Sequence, residues 1–119
     1  LKKNEVHLKQ RDASAGYLEF EHAKVRWFLS VNYEYIPDKV KDSGQRTYRS
    51  IKVNGDEIEF SDGFTDLHTE SFKQILAGNG FGLKEARKSI EIVSNIRNQD
   101  IIENLSDAHP FIKKLQAND

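Results

Sequence analysis

The sequence predicts an α+β protein with an open, mainly antiparallel sheet of four or five strands and two helices packed on one face of that sheet. In the first half of the 119 residues, apolar and polar side chains alternate with the period of two that is typical of strands. In the second half, apolar residues recur at helical spacing. Because the strands precede the helices instead of alternating with them, an α+β arrangement is favoured over a parallel α/β one.

Five stretches in the first half are predicted as strands. Val25, Trp27 and Leu29 share one face of the third stretch, whose residues alternate clearly. Between the last two stretches, Asn54-Gly55 is a strong hairpin signal, because both residue types tolerate the positive φ angles of a type I′ turn. The predicted strands cover residues 6–10, 15–22, 24–31, 46–53 and 57–60.

Two helices are predicted in the second half, over residues 66–77 and 84–97. Thr65 or Asp66 can cap the first helix, and Gly78 lies where a left-handed C-terminal cap is expected. The tail that follows is expected to hold a short helical turn and an extended piece. The second helix should pack on the sheet through the apolar residues at helical spacing, namely Ala86, Ile90, Val93 and Ile96.

The opposite face of the sheet is expected to combine aromatic and charged side chains. Such a face is either solvated or an interface between subunits. The residues predicted to form it are Tyr17, Lys24, Arg26 and Phe28.

Composition excludes several classes of function. The absence of cysteine excludes disulfides, thiolate metal sites and cysteine nucleophiles. A formal net charge of -1 offers no basic surplus for binding nucleic acid. With 31% charged residues, the chain has no apolar run near the roughly 20 residues that span a bilayer. We therefore expect a cytoplasmic protein that neither binds nucleic acid nor inserts into a membrane.

A run of alternating glycines, Gly78, Gly80 and Gly82, has the composition of a phosphate-binding loop. The dinucleotide-binding fingerprint must follow a strand and open a helix, so that the helix N-terminus meets the phosphate. Here the glycines follow a predicted helix. We therefore interpret them as residues that end one helix and shape the connection to the next.

Isolated polar residues give weaker indications of a site. His68, in the first turn of a predicted helix, could donate to a ligand or transfer a proton, and it could equally cap its helix or lie between helix and sheet. Arg46 and Arg49 suit bidentate contact with phosphate or carboxylate, although exposed arginines more often have no specific role. No metal-binding pattern arises from the scattered histidines His7, His22 and His109. No complete catalytic set is visible.

Three groups of motifs, taken in order, resemble one known family. They are GYLE (16–19) with AKVRWFLS (23–30); RTYRSI (46–51) with Gly55 and EF (59–60); and GFTDLHT (63–69) with ILAG (75–78), GFG (80–82) and AR (86–87). Over nearly the whole chain, they resemble the C-terminal part of the Gfo/Idh/MocA oxidoreductases. Within that family they look most like the NAD-dependent 3-dehydrogenases of UDP-N-acetyl-2-amino-2-deoxyglucuronate in lipopolysaccharide and O-antigen biosynthesis.

The resemblance implies a two-domain enzyme whose N-terminal Rossmann domain binds NAD(H) and carries a catalytic lysine, usually in a Glu-Lys-Pro setting. This sequence contains neither Glu-Lys-Pro nor the Rossmann fingerprint. We therefore expect residues 1–119 to be a single C-terminal domain, inactive alone, with no catalytic residue and no cofactor of its own. NAD would serve the full-length enzyme.

Substrate contacts and subunit assembly are the roles that the resemblance implies for this chain. The sheet is expected to join subunits into a dimer or tetramer. The alternative is a free-standing, non-catalytic binding or dimerisation module of the same fold. The residues expected to bind the UDP-sugar are Arg46, Arg49, Phe64, Thr65, His68 and Thr69.

Overall fold

The computed structural model of the protein describes residues 1–61, 66–103 and 106–117. The chain divides into two compact units, one formed by Leu1–Val31 with Leu83–Asp119 and the other by Asn32–Gly82. In the described residues the strands are β1 (Lys3–Lys9), β2 (Ala13–Glu19), β3 (Lys24–Ser30), β4 (Ser50–Val53) and β5 (Asp56–Glu59). The helices are α1 (Asp38–Asp42), α2 (Leu67–Leu76), α3 (Leu83–Asn98) and α4 (Pro110–Ala117).

The α+β class is confirmed, but the strands are grouped differently from the prediction. The described strands form an antiparallel three-stranded sheet in the order β1-β2-β3 and a separate hairpin of β4 and β5. The sheet is therefore smaller than the expected four or five strands. The predicted strand over residues 46–53 is also too long, because pairing with β5 begins only at Ser50.

A small apolar core lies on one face of the three-stranded sheet. Ala15 of β2 packs against Ala108 and against Ile112 of α4, and each of the three is at most 1% exposed. The tail that was predicted as a short turn and an extended piece thus ends in a two-turn helix that covers the sheet. The partly buried side chains around this core belong to Leu8 and Phe28.

Helix α3 packs beside β1, and its bounds agree with the prediction for residues 84–97. The predicted packing face is wrong for Ala86, Ile90 and Val93, which are exposed, and only Ile96 of that set is partly buried. The side-chain amide of Asn4 donates to the Ile92 carbonyl (3.5 Å) and accepts from Gln99 (3.1 Å). Val6 donates its N–H to the Gln99 side chain (3.1 Å) and forms a parallel bridge with Ile101. These contacts bring the first strand together with the chain that follows α3.

The turn between β4 and β5 matches its prediction. Asn54 and Gly55 have φ angles of 51° and 93°. Two successive positive φ angles are what a type I′ turn requires, and the twist of that turn suits a hairpin. The turn therefore fixes the register in which Val53 faces Asp56.

The predicted C-terminal cap of α2 is also confirmed. Gly78 has a φ of 83°, its N–H donates to the Ile75 carbonyl (3.1 Å), and the Asn79 N–H donates to the Gln74 carbonyl (2.8 Å). This pair of hydrogen bonds is the Schellman arrangement. The predicted side-chain cap at the other end is wrong for Asp66, which makes no capping hydrogen bond and has a φ of 63°; Thr65 lies outside the described residues. None of the described helices is long and apolar enough to cross a membrane.

Candidate functional site

The predicted substrate-binding residues that the structure describes lie in the second compact unit, Asn32–Gly82. Arg46 and Arg49 precede β4, whereas His68 and Thr69 lie in the first turn of α2. All four are exposed. The two pairs thus belong to different elements of the same unit. The remaining two residues of the predicted set, Phe64 and Thr65, lie outside the described residues.

Ser61 holds Arg49 through two hydrogen bonds. The Arg49 backbone N–H donates to Ser61 Oγ (2.9 Å), and Nη1 of its guanidinium donates to the Ser61 carbonyl (3.3 Å). The Arg49 carbonyl in turn accepts from the Phe60 N–H (2.9 Å), so chain pairing continues past the end of the hairpin strands. Ser61 is only 9% exposed. The guanidinium is therefore attached to a buried point at the end of β5.

Tyr48 and Glu57 form a second polar contact that the sequence analysis did not predict. The Tyr48 hydroxyl donates to Glu57 Oε1. This hydrogen bond is the main reason why the pKa of Tyr48 is raised and the pKa of Glu57 is lowered. Both shifts keep the phenol neutral and the carboxyl charged near neutral pH. The pair therefore suits a structural link across the hairpin better than proton transfer.

The glycine run does not fit a dinucleotide. Gly78 closes α2, and the residues up to Gly82 lead from that helix to α3. A pyrophosphate-binding turn joins a strand to a helix N-terminus, whereas this segment joins two helices. These glycines therefore do not form the pyrophosphate turn of a Rossmann NAD site. The residues that the structure describes contain no group of three or more side chains suited to hold a metal ion.

A polar cluster lies on the same face of the three-stranded sheet as the apolar core. Asp107 forms ion pairs with Lys3 (3.6 Å) and with Arg26 (3.5 Å). Both cations lie near the ring of Tyr17, at 5.6 Å and 5.8 Å from its centroid. The Tyr17 hydroxyl donates to Glu19 (2.8 Å). This face of the sheet is thus partly covered by the chain's own segment from Asp107 onwards.

The residues predicted to form a subunit interface differ in exposure. Tyr17 is 1% exposed, whereas Lys24 and Arg26 are exposed. Phe28 is half-buried against Phe111, with the two ring centroids 4.7 Å apart and the rings edge to face. A second subunit on this face would therefore contact the exposed Lys24 and Arg26 directly, whereas the aromatic side chains would lie beneath them.

The buried His7 contacts the partly buried Glu5 next to this cluster. The His7 side chain is fully buried, with Nε2 3.0 Å from Glu5 Oε2, and Lys3 lies 3.0 Å from the other carboxylate oxygen. Burial acts to raise the pKa of Glu5, but the hydrogen bonds from Lys3 and His7 outweigh burial, and the pKa is lowered. His7 is the extra residue of a β-bulge between Val6 and Leu8. Its burial therefore depends on a strand irregularity that the alternation pattern does not reveal.

His109 is expected to make the stability of the protein depend on pH. Its Nδ1 accepts a hydrogen bond from the Phe111 N–H at the start of α4 (3.1 Å). Burial, with a smaller contribution from the charge of Arg26, lowers the pKa of His109 below its usual value. The neutral ring therefore stabilises the fold above about pH 6.5. That contribution is lost as the pH falls through the lowered pKa of the folded state.

The measurement is the melting temperature between pH 7.5 and pH 5, compared with that of His109→Asn. An asparagine oxygen can cap the helix without titrating, so the variant should lose less stability on acidification. Glu5, His7 and the other titrating groups of this face are the same in both proteins. Identical pH profiles would contradict this role of His109.

This arrangement of elements is similar to part of a dehydrogenase. Two solved structures of the WlbA (WbpB) dehydrogenase from Thermus thermophilus match 92% of the chain with a TM-score of 0.86. One, 47% identical, is a complex with NAD and α-ketoglutarate; the other, 45% identical, is a complex with NAD and UDP-GlcNAcA. The chain spans 36% of the length of each dehydrogenase chain. No protein-family model matches the chain. The two solved structures confirm the predicted resemblance to part of a UDP-sugar dehydrogenase.

Proposed function

We propose that the chain is the C-terminal, substrate-binding part of an NAD-dependent dehydrogenase that oxidises a UDP-sugar uronate at C3 in lipopolysaccharide and O-antigen biosynthesis. One observation carries this proposal. Over 92% of its length, the chain is 45% identical to a dehydrogenase whose structure holds NAD and UDP-GlcNAcA. The full-length enzyme would belong to the Gfo/Idh/MocA oxidoreductases, and its NAD site would lie outside the present chain.

The residues of this chain would bind and orient the UDP-sugar. Bound NAD would supply the hydride acceptor, and the chain's part is to hold the sugar nucleotide against it. Arg49 offers a planar, permanently charged group for the uronate carboxylate or the diphosphate, and its attachment to Ser61 supports that role. Arg46 would add a second positive charge. The sugar would be contacted by residues at and before the start of α2, namely Phe64, Thr65, His68 and Thr69.

We further propose that the three-stranded sheet joins subunits into a dimer or tetramer in the cytoplasm. Lys24 and Arg26 are exposed at this face and could reach a second subunit. Tyr17 and Phe28 would support them from beneath, since Tyr17 lies within cation–π distance of Arg26. The chain's formal net charge of -1 favours no nucleic-acid partner.

The test of the proposed function has two parts. The first is the intact mass of the native polypeptide from the source cells, expected to be roughly 35 kDa because one ordinary dinucleotide-binding domain is added. The second is NADH formation, followed at 340 nm, when that polypeptide receives NAD and UDP-GlcNAcA. UDP-GlcNAc, which lacks the carboxylate, is the matched control and should give little NADH.

Three outcomes would contradict the proposal. A full-length polypeptide that neither binds nor oxidises UDP-GlcNAcA would remove its basis. NAD binding by the isolated 119-residue chain would contradict the assignment of the cofactor to a separate domain. A native polypeptide no larger than this chain would favour the non-catalytic binding or dimerisation module.

A further inference from the structure

We propose that Ser61 is a positioning residue that holds the Arg49 guanidinium in place to receive the anionic part of the sugar nucleotide. This inference rests on the proposed function and extends it to a residue that the sequence analysis did not select. Arg49 would make the contact with the substrate, and Ser61 would act through Arg49.

The contact between the two residues involves both the backbone and the side chain of Arg49. Ser61 Oγ accepts from the Arg49 backbone N–H (2.9 Å), and the Ser61 carbonyl accepts from Arg49 Nη1 (3.3 Å). A long arginine side chain loses rotational freedom when it binds a ligand, and that loss weakens binding. An arginine already held by a fixed acceptor has lost part of this freedom before the substrate arrives. The contact therefore prepares Arg49 for an anion.

Ser61 is itself fixed by its surroundings. It is 9% exposed, and its N–H donates to Glu59 Oε1 (3.1 Å). The neighbouring Phe60 N–H donates to the Arg49 carbonyl (2.9 Å), which continues the pairing of β4 with β5. The acceptor that holds the guanidinium thus belongs to the hairpin framework and not to a freely rotating side chain.

The position of Ser61 in the sequence explains why this link would matter for a substrate. Ser61 lies three residues before Phe64, where the second part of the predicted substrate-binding set begins. Arg49 belongs to the first part of that set and lies 12 residues earlier than Ser61. The hydrogen bonds therefore join Arg49 to a residue that lies close in sequence to the second part of the predicted substrate-binding set.

The experiment measures the Kd of UDP-GlcNAcA by calorimetry, and the KM for each substrate, on the full-length dehydrogenase and its Ser61→Ala variant. The variant loses the hydroxyl that accepts from the Arg49 backbone N–H and keeps the carbonyl that accepts from Nη1, so it tests whether the backbone link positions Arg49. Loss of this one hydrogen bond is expected to raise the Kd and KM of the sugar nucleotide about five-fold. The KM for NAD should stay unchanged, whereas a general structural defect would change the KM of both substrates. Ser61→Thr, which keeps the hydroxyl, should restore binding. Ser43→Ala, an exposed serine of the same unit that donates to the Val40 carbonyl, is the matched control.

A double-mutant cycle tests whether Ser61 acts through Arg49. Arg49→Ala should raise the Kd about ten- to a hundred-fold, because a charge-assisted contact is lost. Adding Ser61→Ala to that variant should then change nothing further. Arg49→Lys keeps the charge but not the planar fork, so it should weaken binding of the sugar nucleotide. This variant tests the role of Arg49 independently of whether Ser61→Ala folds.

Several results would overturn the inference. Additive effects of the two alanine substitutions would show that Ser61 does not act through Arg49. Normal binding by Ser61→Ala or Arg49→Lys, or an equal loss of affinity for NAD, would also reject it. These results leave the proposed function intact. A wild-type enzyme that fails to bind UDP-GlcNAcA would reject both.

Discussion

Replacing Gly16 with alanine is expected to destabilise the protein by about 3 kcal/mol or more. A Cβ atom at this position would lie 2.2 Å from the Glu5 carbonyl oxygen and 2.7 Å from Cζ2 of the Trp27 ring. The carbonyl belongs to β1 and the Trp27 ring to β3, and these two strands pair with β2 on its two sides. The sheet could accommodate the methyl group only by separating two strands.

Chemical denaturation followed by far-ultraviolet circular dichroism measures this loss. Gly44→Ala is a suitable control, since Gly44 lies in a turn with a φ of 84° and nothing lies within 4 Å of its added Cβ. That change should cost only the strain of a left-handed backbone, about 1–2 kcal/mol. If Gly16→Ala were no more destabilising than Gly44→Ala, the close approach of β1 and Trp27 to Gly16 would be wrong.

Replacing Ile112 with alanine is the second change with a large expected effect, about 2–5 kcal/mol of unfolding free energy. Ile112 is 1% exposed and fills the space between α4 and Ala15 of the sheet. The substitution removes buried apolar contact and leaves a cavity that the small side chains of Ala15 and Ala108 cannot fill. Helix α4 should separate from the sheet before the rest of the unit unfolds.

Urea denaturation gives the total loss, and hydrogen exchange of the α4 amides tests the local effect. Ile90→Ala is the matched control, because Ile90 is 64% exposed on α3 and its truncation should change stability by no more than about 0.5 kcal/mol. Equal effects of the two substitutions, or unchanged exchange in α4, would contradict the packing described for Ile112.

The elements that the sequence predicted well depend on local chemistry. The Asn54-Gly55 turn requires positive φ angles that few residues adopt, and Gly78 ends α2 for the same reason. Periodic apolar residues located α3 to within one residue at each end. In each of these cases, the residues that carry the signal are close together in the chain.

The elements that were missed depend on contacts between distant residues. Helix α4 owes its place to Ala15, which is far from Ile112 in the sequence. The division of the strands into two sheets is decided by which partner each strand finds, and alternation alone does not report that partner. His7 is buried by a bulge, although a histidine in an alternating strand gives no sign of one.

The candidate site shows the same limit. Arg49 was predicted as a binding residue from its charge and shape, because guanidinium chemistry can be recognised from the residue alone. Ser61 carried no such signal, since a serine beside Asp-Gly is typical of turns. Its contribution lies in a backbone carbonyl and a hydroxyl that only the fold brings to Arg49.

The bridge between Val6 and Ile101 affects how the protein folds during synthesis. Asn4 contacts Gln99 across 95 positions of the chain, whereas a hairpin closes over about a dozen. Closing the longer loop costs roughly 1.8 kcal/mol more in chain entropy, at about 0.6 kcal/mol for each doubling of length. Because synthesis runs from the N-terminus to the C-terminus, β1 also leaves the ribosome long before α3 exists to cover it. Until then β1 has an unprotected edge, and at this stage the nascent chain is most prone to pair with other chains and aggregate.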